Sequence, residues 1–171
     1  MPNPVDAEQA HLTTFYAALG TGFAYAGHFG TLDPAGVISA YKTNYQRFEH
    51  DGGPHAILAL AAIVAETEER AQQLARANAL SMLRLRSGRP GPLPSPEEAE
   101  AYPWSEAEAA AVEEWAGLVS VGTPDQVAGD LRRRADAAGA DELIITTNIH
   151  NPAERRRSFQ LLAEAWGLKP R

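Results

Sequence analysis

The chain carries three apolar runs separated by longer stretches in which apolar residues recur at three- and four-residue steps. The runs cover residues 22–29, 55–67 and 142–149, and we predict a buried strand for each. The second run is apolar on both faces, which is typical of a strand inside a parallel sheet. The periodic stretches predict amphipathic helices. Strands that alternate with helices indicate an α/β fold with a parallel sheet and right-handed crossovers.

Capping residues mark where the helices begin. Asp33 predicts the N-cap of a helix after the first strand, and Thr67 predicts that of a helix after the second. Gly122 predicts a turn before a helix that runs to about residue 138. A last helix is predicted to start near Pro152 and to direct three large side chains into the core. These are Phe159, Leu162 and Trp166.

Residues 87–104 interrupt the helical pattern. The stretch contains five prolines between Pro90 and Pro103, and we predict an irregular excursion because proline removes backbone donors. Helical periodicity resumes after it, where Ser105 and Glu108 have the spacing of a capping box. Since the pattern continues on both sides, we expect one domain over residues 1–171 rather than two domains joined by a linker.

Composition narrows the possible partners. The 171 residues are 44% hydrophobic and carry a formal net charge of -7, which argues against nucleic acid or an anionic membrane as a partner. The chain has no cysteine, so disulfides, thiolate metal sites and cysteine nucleophiles are excluded. The longest apolar run, residues 56–65, is about half a membrane span, and no secretory signal is recognised. We therefore expect a soluble, cytoplasmic protein.

No familiar nucleotide, hydrolase or metalloprotease motif is present, and no metal site is predicted. His28 is predicted at the carboxyl end of the first strand, where ligands collect in parallel α/β folds. Tyr25 and Phe29 flank it and could form the wall of an aromatic pocket. The alternative is a histidine that only satisfies a turn carbonyl.

Polar residues also occupy the carboxyl end of the last predicted strand. They are Thr146, Thr147, Asn148 and His150. A ligand at this strand end would explain them, but so would a helix cap, with Asn151 as N-cap of a helix that starts at Pro152. The cap accounts fully for Asn151, partly for Asn148 and poorly for Thr146. The nearby arginines, residues 155–157, fit a solvated helix face better than an anion site.

Four stretches together resemble the C-terminal half of luciferase-like flavin-dependent monooxygenases. They are GFAYAGHF, AAIVAETEERAQQLA, LRLRSGRPGPLPSP, and SVGTPDQVAGDLRRRADAAGADELIITTNIHNPAERRRSFQLLAEAW. The last of them is the most specific. The resemblance extends from about residue 17 to residue 166.

This resemblance implies a partial (β/α)8 TIM barrel that consists of the C-terminal strands and helices only. It implies reduced FMN as cofactor, or the deazaflavin F420, with oxygen and a small organic substrate. The ends of the first and last strands would face the flavin. His28 is then the candidate catalytic residue, and four residues are candidates for cofactor contact. These are Tyr25, Phe29, Thr146 and Asn148.

The first four strands of such a barrel, and most of the fifth, have no counterpart here, and residues 1–20 would keep only the helix after the fifth strand. Such a half-barrel has unpaired strand edges and a half-covered inner face. It would therefore pair with a second copy or with a complementary subunit. Three functions remain open: a flavin-dependent monooxygenase, a non-catalytic half-barrel that binds flavin or a partner subunit, and a fragment without activity of its own.

Overall fold

The computed structural model describes residues 12–30, 32–47 and 52–169. Its strands are β1 (Phe23–Ala26), β2 (Ala56–Val64), β3 (Val119–Gly122) and β4 (Glu142–Thr146). Its helices are α1 (residues 12–18), α2 (Pro34–Asn44), α3 (Glu68–Arg86), α4 (Pro96–Ala101), α5 (Glu106–Ala116), α6 (Pro124–Ala138) and α7 (Pro152–Trp166). The expectation of a helix within residues 1–20 is met by α1, and residues 1–11 lie outside the described part.

The central strand of the sheet is β2. The first half of β2 pairs in parallel with β1, where Tyr25 lies opposite Leu58. Its second half pairs in parallel with β3, where Val121 lies opposite Ile63, and β4 also pairs with β2. The predicted fold class, an α/β protein with a parallel sheet, is confirmed.

The chain divides into two compact units. The first comprises Met1–Leu60 and Leu131–Ile145, and the second comprises Ala61–Asp130 and Thr146–Arg171. Each unit therefore joins segments that are distant in sequence, and the single domain predicted over residues 1–171 stays a prediction. In the described ranges, no helix has the length and apolar character needed to cross a membrane.

In the first unit, α2 packs against β1 through aromatic rings. Asp33 caps α2 as predicted, because its carboxylate accepts two backbone N–H groups of the first turn at 3.3 and 3.2 Å. Tyr41 is fully buried and stacks on Phe23, with ring centroids 5.2 Å apart. Its hydroxyl donates to the carbonyl oxygen of Thr21 at 2.8 Å, so the polar end of the buried ring is satisfied.

A single carboxylate fixes the start of two strands in this unit. The side chain of Asp141 accepts the backbone N–H of Ala56 at 2.8 Å and the ammonium of Lys42 at 2.9 Å. Its own N–H donates to the carbonyl oxygen of Ala56 at 2.8 Å. Burial alone would raise the pKa of Asp141, but the hydrogen bonds from Ala56 and Lys42 outweigh it and lower the pKa. The charged form therefore joins the starts of β2 and β4 to α2.

The second unit has its core where β2 ends. Ile63 packs in one cluster with Leu74 of α3 and with Ile149, which follows β4. Thr67 caps α3 as predicted. Ser158 is buried on α7, and its hydroxyl accepts the backbone N–H of Val64 at 2.9 Å. This hydrogen bond joins α7 directly to the central strand.

The predicted irregular excursion over residues 87–104 is wrong in part, because it contains α4. Ser95 caps this helix and Glu98 returns the hydrogen bond, while Pro96 stands at the first helical position, where no backbone donor is needed. Ala99 is buried on α4, and Trp104 donates its indole N–H to the Ala99 carbonyl oxygen at 2.9 Å. Because the segment is rich in proline, the complete N-terminal capping motif of α4 was not recognised from the sequence.

Strand boundaries and one core residue also differ from the prediction. The turn expected at Gly122 ends a strand, β3, whose four residues are too few for a period to be recognised. The first strand is shorter than predicted, and β4 ends at Thr146 instead of residue 149. Phe159 does not point inward: 42% of it is exposed, and Leu161 is buried instead.

Replacing Asp141 with Asn should lower the free energy of unfolding by about 1 kcal/mol at pH 7, because the amide loses charge-assisted hydrogen bonds of a partly exposed carboxylate. The pKa of Asp141 is lowered in the folded state. Its stabilisation is therefore present above the unfolded pKa of about 3.9 and is lost as pH falls through the folded value.

Urea unfolding at pH 7 and at about pH 3 measures this difference, which should shrink at the lower pH. The matched control is Asp136→Asn, since the Asp136 side chain is exposed on α6. A loss of the same size at both pH values would contradict the role of the Asp141 charge.

Candidate functional site

The loop after β1 presents His28 and Phe29. The two rings lie 4.1 Å apart between centroids, and Phe29 is 67% exposed. The Nδ1 atom of His28 lies 3.3 Å from the carbonyl oxygen of Ala59 on β2. Because a carbonyl only accepts, Nδ1 carries the proton in this contact, and Nε2 of the neutral ring is then an acceptor.

Tyr25 lies beneath this loop. It is 2% exposed, and its hydroxyl donates to the carbonyl oxygen of Leu32 at 2.9 Å. A ring with so little free surface supports the loop and offers almost nothing to a ligand. Of the two aromatic residues predicted to form a pocket wall, Phe29 is the one with a free face.

Two glycines bracket His28 and Phe29 because the backbone runs close to the strands here. A Cβ on Gly27 would lie 2.9 Å from a methyl group of Leu58, and a Cβ on Gly30 would overlap the Tyr25 hydroxyl. The loop therefore has no room for larger residues at either position. Its geometry fixes where the His28 and Phe29 rings lie.

The segment after β4 differs in exposure from residue to residue. Thr146 ends the strand and is half-buried, Asn148 is exposed, and Ile149 is buried in the core of the second unit. The hydroxyl oxygen of Thr147 is buried and has no hydrogen-bond partner among the described residues. Buried hydroxyls are normally paired, so this atom marks a position where a ligand group could bind.

Most of the other polar groups in this segment already have structural partners. Asn151 caps α7 by accepting the N–H groups of Ala153 at 2.8 Å and Glu154 at 3.4 Å, as the helix-cap interpretation predicted. The Nδ1 atom of His150 lies 2.7 Å from the carbonyl oxygen of Leu93. His150 thus holds the proline-rich segment in place.

Two sets of ion pairs lie beside the start of α7. Arg70 donates twice to one oxygen of Glu154, at 2.9 and 2.7 Å. Arg157 donates to Glu66 at 2.7 Å, and this hydrogen bond is the main reason why the pKa of Glu66 is lowered. Arg157 is therefore engaged with a carboxylate, which favours the structural interpretation of the arginine run over an anion site.

The sequence-predicted site residues fall into two groups. Tyr25, His28 and Phe29 are brought together in the first unit, and Thr146 and Asn148 belong to the second. Thr147 belongs to the polar strand end but not to the predicted contacts, because an unpaired hydroxyl cannot be recognised from a strand-end pattern.

No family model matches the chain. Individual proteins do match, beginning with an uncharacterized protein of Bacillus subtilis, YvbT, which is 31% identical over 148 residues, 86% of this chain and 44% of that protein. A luciferase-like monooxygenase of Escherichia coli K12 is 27% identical over 85% of this chain and 43% of its own length. The crystal structure of apo-MsnO8 has a TM-score of 0.84 at 32% identity, covering 95% of this chain and 50% of that one.

A structural match at much lower sequence identity indicates a shared fold only. The oxygenating constituent of 3,6-diketocamphane monooxygenase from Pseudomonas putida, solved in complex with FMN, has a TM-score of 0.51 at 15% identity. It covers 94% of this chain and 45% of that one. The same parallel α/β arrangement thus recurs in several monooxygenases.

The fold is α/β, and these matches show that the chain resembles luciferase-like monooxygenases over most of its length. The chain spans about half the length of the curated relatives it matches.

Replacing Gly30 with Ala should lower the free energy of unfolding by about 1–3 kcal/mol, because the added methyl group would overlap a buried tyrosine hydroxyl. Urea unfolding measures the loss. Gly91→Ala is the matched control, since a Cβ there would meet nothing within 4 Å. Equal stability of the two variants would show that the loop can move away from Tyr25.

Proposed function

We propose that the chain supplies half of an FMN-dependent monooxygenase of the luciferase-like family, which acts on a small organic substrate with reduced flavin and oxygen. The observation that carries this proposal is the similarity to a luciferase-like monooxygenase of Escherichia coli, at 27% identity over 85% of the chain.

The residues present suit a flavin. The exposed Phe29 ring offers an apolar face for a planar ring system, and His28 Nε2 can exchange hydrogen bonds with its polar edge. The buried Thr147 hydroxyl has unused capacity to donate and accept. We propose the same contact role for Thr146 and Asn148, which the sequence resemblance suggested, whereas the burial of Tyr25 favours an indirect role for that residue.

The flavin, when bound, would supply the redox chemistry with oxygen. The chain's own residues would position it and keep water away from the reacting atoms. His28 is the candidate to contact the reacting part, since its neighbouring carbonyl fixes the proton on Nδ1. A general base is not assigned to any residue.

A second candidate function is a half-barrel that binds flavin, or a partner subunit, without catalysis. The observation that favours it is length: the chain covers 43–45% of its curated relatives. Under this alternative the flavin contacts would persist, but turnover would require residues that another chain supplies.

Titration with FMN, followed by flavin fluorescence, should give saturable binding at tens of micromolar. His28→Ala should weaken it by about tenfold, which corresponds to the loss of roughly one good hydrogen bond. The matched control is His55→Ala, because His55 is exposed and pairs with Glu142 instead. A parallel titration with F420 decides between the two cofactors. Absence of binding by either would remove the flavin proposal.

Replacing Thr147 with Val should affect stability and binding in opposite directions. Removing a buried unpaired hydroxyl should raise the free energy of unfolding by about 1 kcal/mol, while FMN binding should weaken by about tenfold. Thr43→Val, at an exposed position on α2, should change neither. Lower stability with unchanged FMN affinity would mean that the hydroxyl serves the fold and not a ligand.

A further inference from the structure

The second unit contains the starts of three helices that directly follow a strand. Helix α3 follows β2, α6 follows β3 and α7 follows β4, so each of them begins on the carboxyl side of a strand. A helix N-terminus normally attracts phosphate, because its first N–H groups and the helix dipole favour negative charge. The side chains at these three N-termini therefore determine how the unit receives an anionic ligand.

Side chains of the protein itself already bind N–H groups at all three starts. At α3, the Thr67 hydroxyl accepts the N–H of Arg70 at 3.2 Å. At α6, the side-chain oxygen of Gln126 accepts the N–H of Thr123 at 2.9 Å. At α7, Asn151 accepts two N–H groups, and the proline at the first position of α6 and of α7 donates none. A phosphate would have to compete with these caps.

Carboxylates outnumber cationic side chains at the same starts. Arg70 pairs with Glu154 and Arg157 pairs with Glu66, each at 2.7 Å between nitrogen and oxygen. Each of these arginines is thus matched by a carboxylate. Three further carboxylates stand in the first turns of α3 and α6, where they are exposed and have no cationic partner among the described residues. They are Glu68, Glu69 and Asp125.

The start of α3 is close to a proposed flavin contact. Thr147, whose buried hydroxyl is that contact, belongs to the same unit. Two residues later, Ile149 packs in one cluster with Ala71 of α3. A phosphate monoester carries about 1.5 to 2 negative charges at pH 7, so it would be repelled by the unpaired carboxylates at this helix start. The uncharged ring system of a flavin would not be.

We infer that the flavin site selects the ring system of the flavin, and that the phosphate of FMN weakens binding instead of strengthening it. This inference rests on the proposed function. It makes riboflavin, which has the same ring system and no phosphate, the tighter ligand of the two. The carboxylates Glu68, Glu69 and Asp125 are the residues that set this preference.

Parallel titrations with riboflavin and with FMN, followed by flavin fluorescence, test the inference. At about 20 mM salt, riboflavin should bind about threefold more tightly than FMN, which is the size of effect expected from exposed charges. At about 0.5 M salt, the two affinities should converge because screening weakens the repulsion. A phosphate held by cationic groups would show the opposite salt dependence, with FMN binding weakened by salt.

The double variant Glu69→Gln with Asp125→Asn should raise the affinity for FMN about threefold at low salt and leave the affinity for riboflavin unchanged. The matched control is Glu106→Gln with Glu113→Gln, two exposed carboxylates on α5, which does not follow a strand. The control should change neither affinity. Both double variants should keep the circular dichroism spectrum of the parent chain, since all four side chains are exposed.

An affinity for FMN equal to or above that for riboflavin at low salt would overturn the inference and leave the proposed function standing. Arg155 and Arg156, which are exposed after the first turn of α7, are the residues to examine in that case. Loss of the FMN preference in Arg155→Gln with Arg156→Gln would show that the arginine run binds the phosphate. Absence of binding by both flavins would remove the inference and the proposed function together.

Discussion

The pairing of β2 is the constraint on which the rest of the structure depends. The strands β1, β3 and β4 all form their ladders with it, so no strand of the described sheet is independent of this one. Six of its nine residues are at most 3% exposed, and a strand buried on both faces has to be apolar along its whole length. Polar groups are consequently displaced to the strand ends, where the candidate chemistry lies.

In the first unit, the residues at the two ends of the strands have different roles. At the starting end, the charged Asp141 side chain joins β2, β4 and α2, so its polar atoms are consumed by the fold. At the other end of β1, two glycines without room for a Cβ bring the loop close to the strands and fix the rings of His28 and Phe29. In the first unit, Asp141 therefore stabilises the starts of β2 and β4, whereas the proposed ligand contacts, His28 and Phe29, follow the end of β1.

Local signals predicted much of this arrangement. The caps at Asp33, Thr67 and Asn151, and the buried second strand, follow from residue type and spacing alone, and the position of His28 follows from the end of β1. The strand β3 could not be recognised because four residues do not establish a period, and α4 was overlooked because its prolines stand before and at its start.

Other features depend on distant partners and were beyond prediction. Phe159 keeps the spacing of a core residue, yet its neighbours Ser158, Leu161 and Leu162 are the ones buried on α7. Whether a threonine hydroxyl has a hydrogen-bond partner depends on atoms far away in sequence, so the unpaired hydroxyl of Thr147 could not be predicted. Helix α1 exposes Phe15 and Leu19 and buries Ala17. Helical periodicity could not predict this, because it identifies an apolar side without telling what covers it.

Hydrogen exchange of the chain with and without FMN tests most directly the proposal that FMN contacts the residues at the ends of β1 and β4. The method reports where a ligand slows backbone opening. Slower exchange is expected in peptides that contain residues 27–30 and in peptides that contain residues 146–150. Unchanged exchange in both, or slowing confined to the proline-rich residues 87–104, would contradict it.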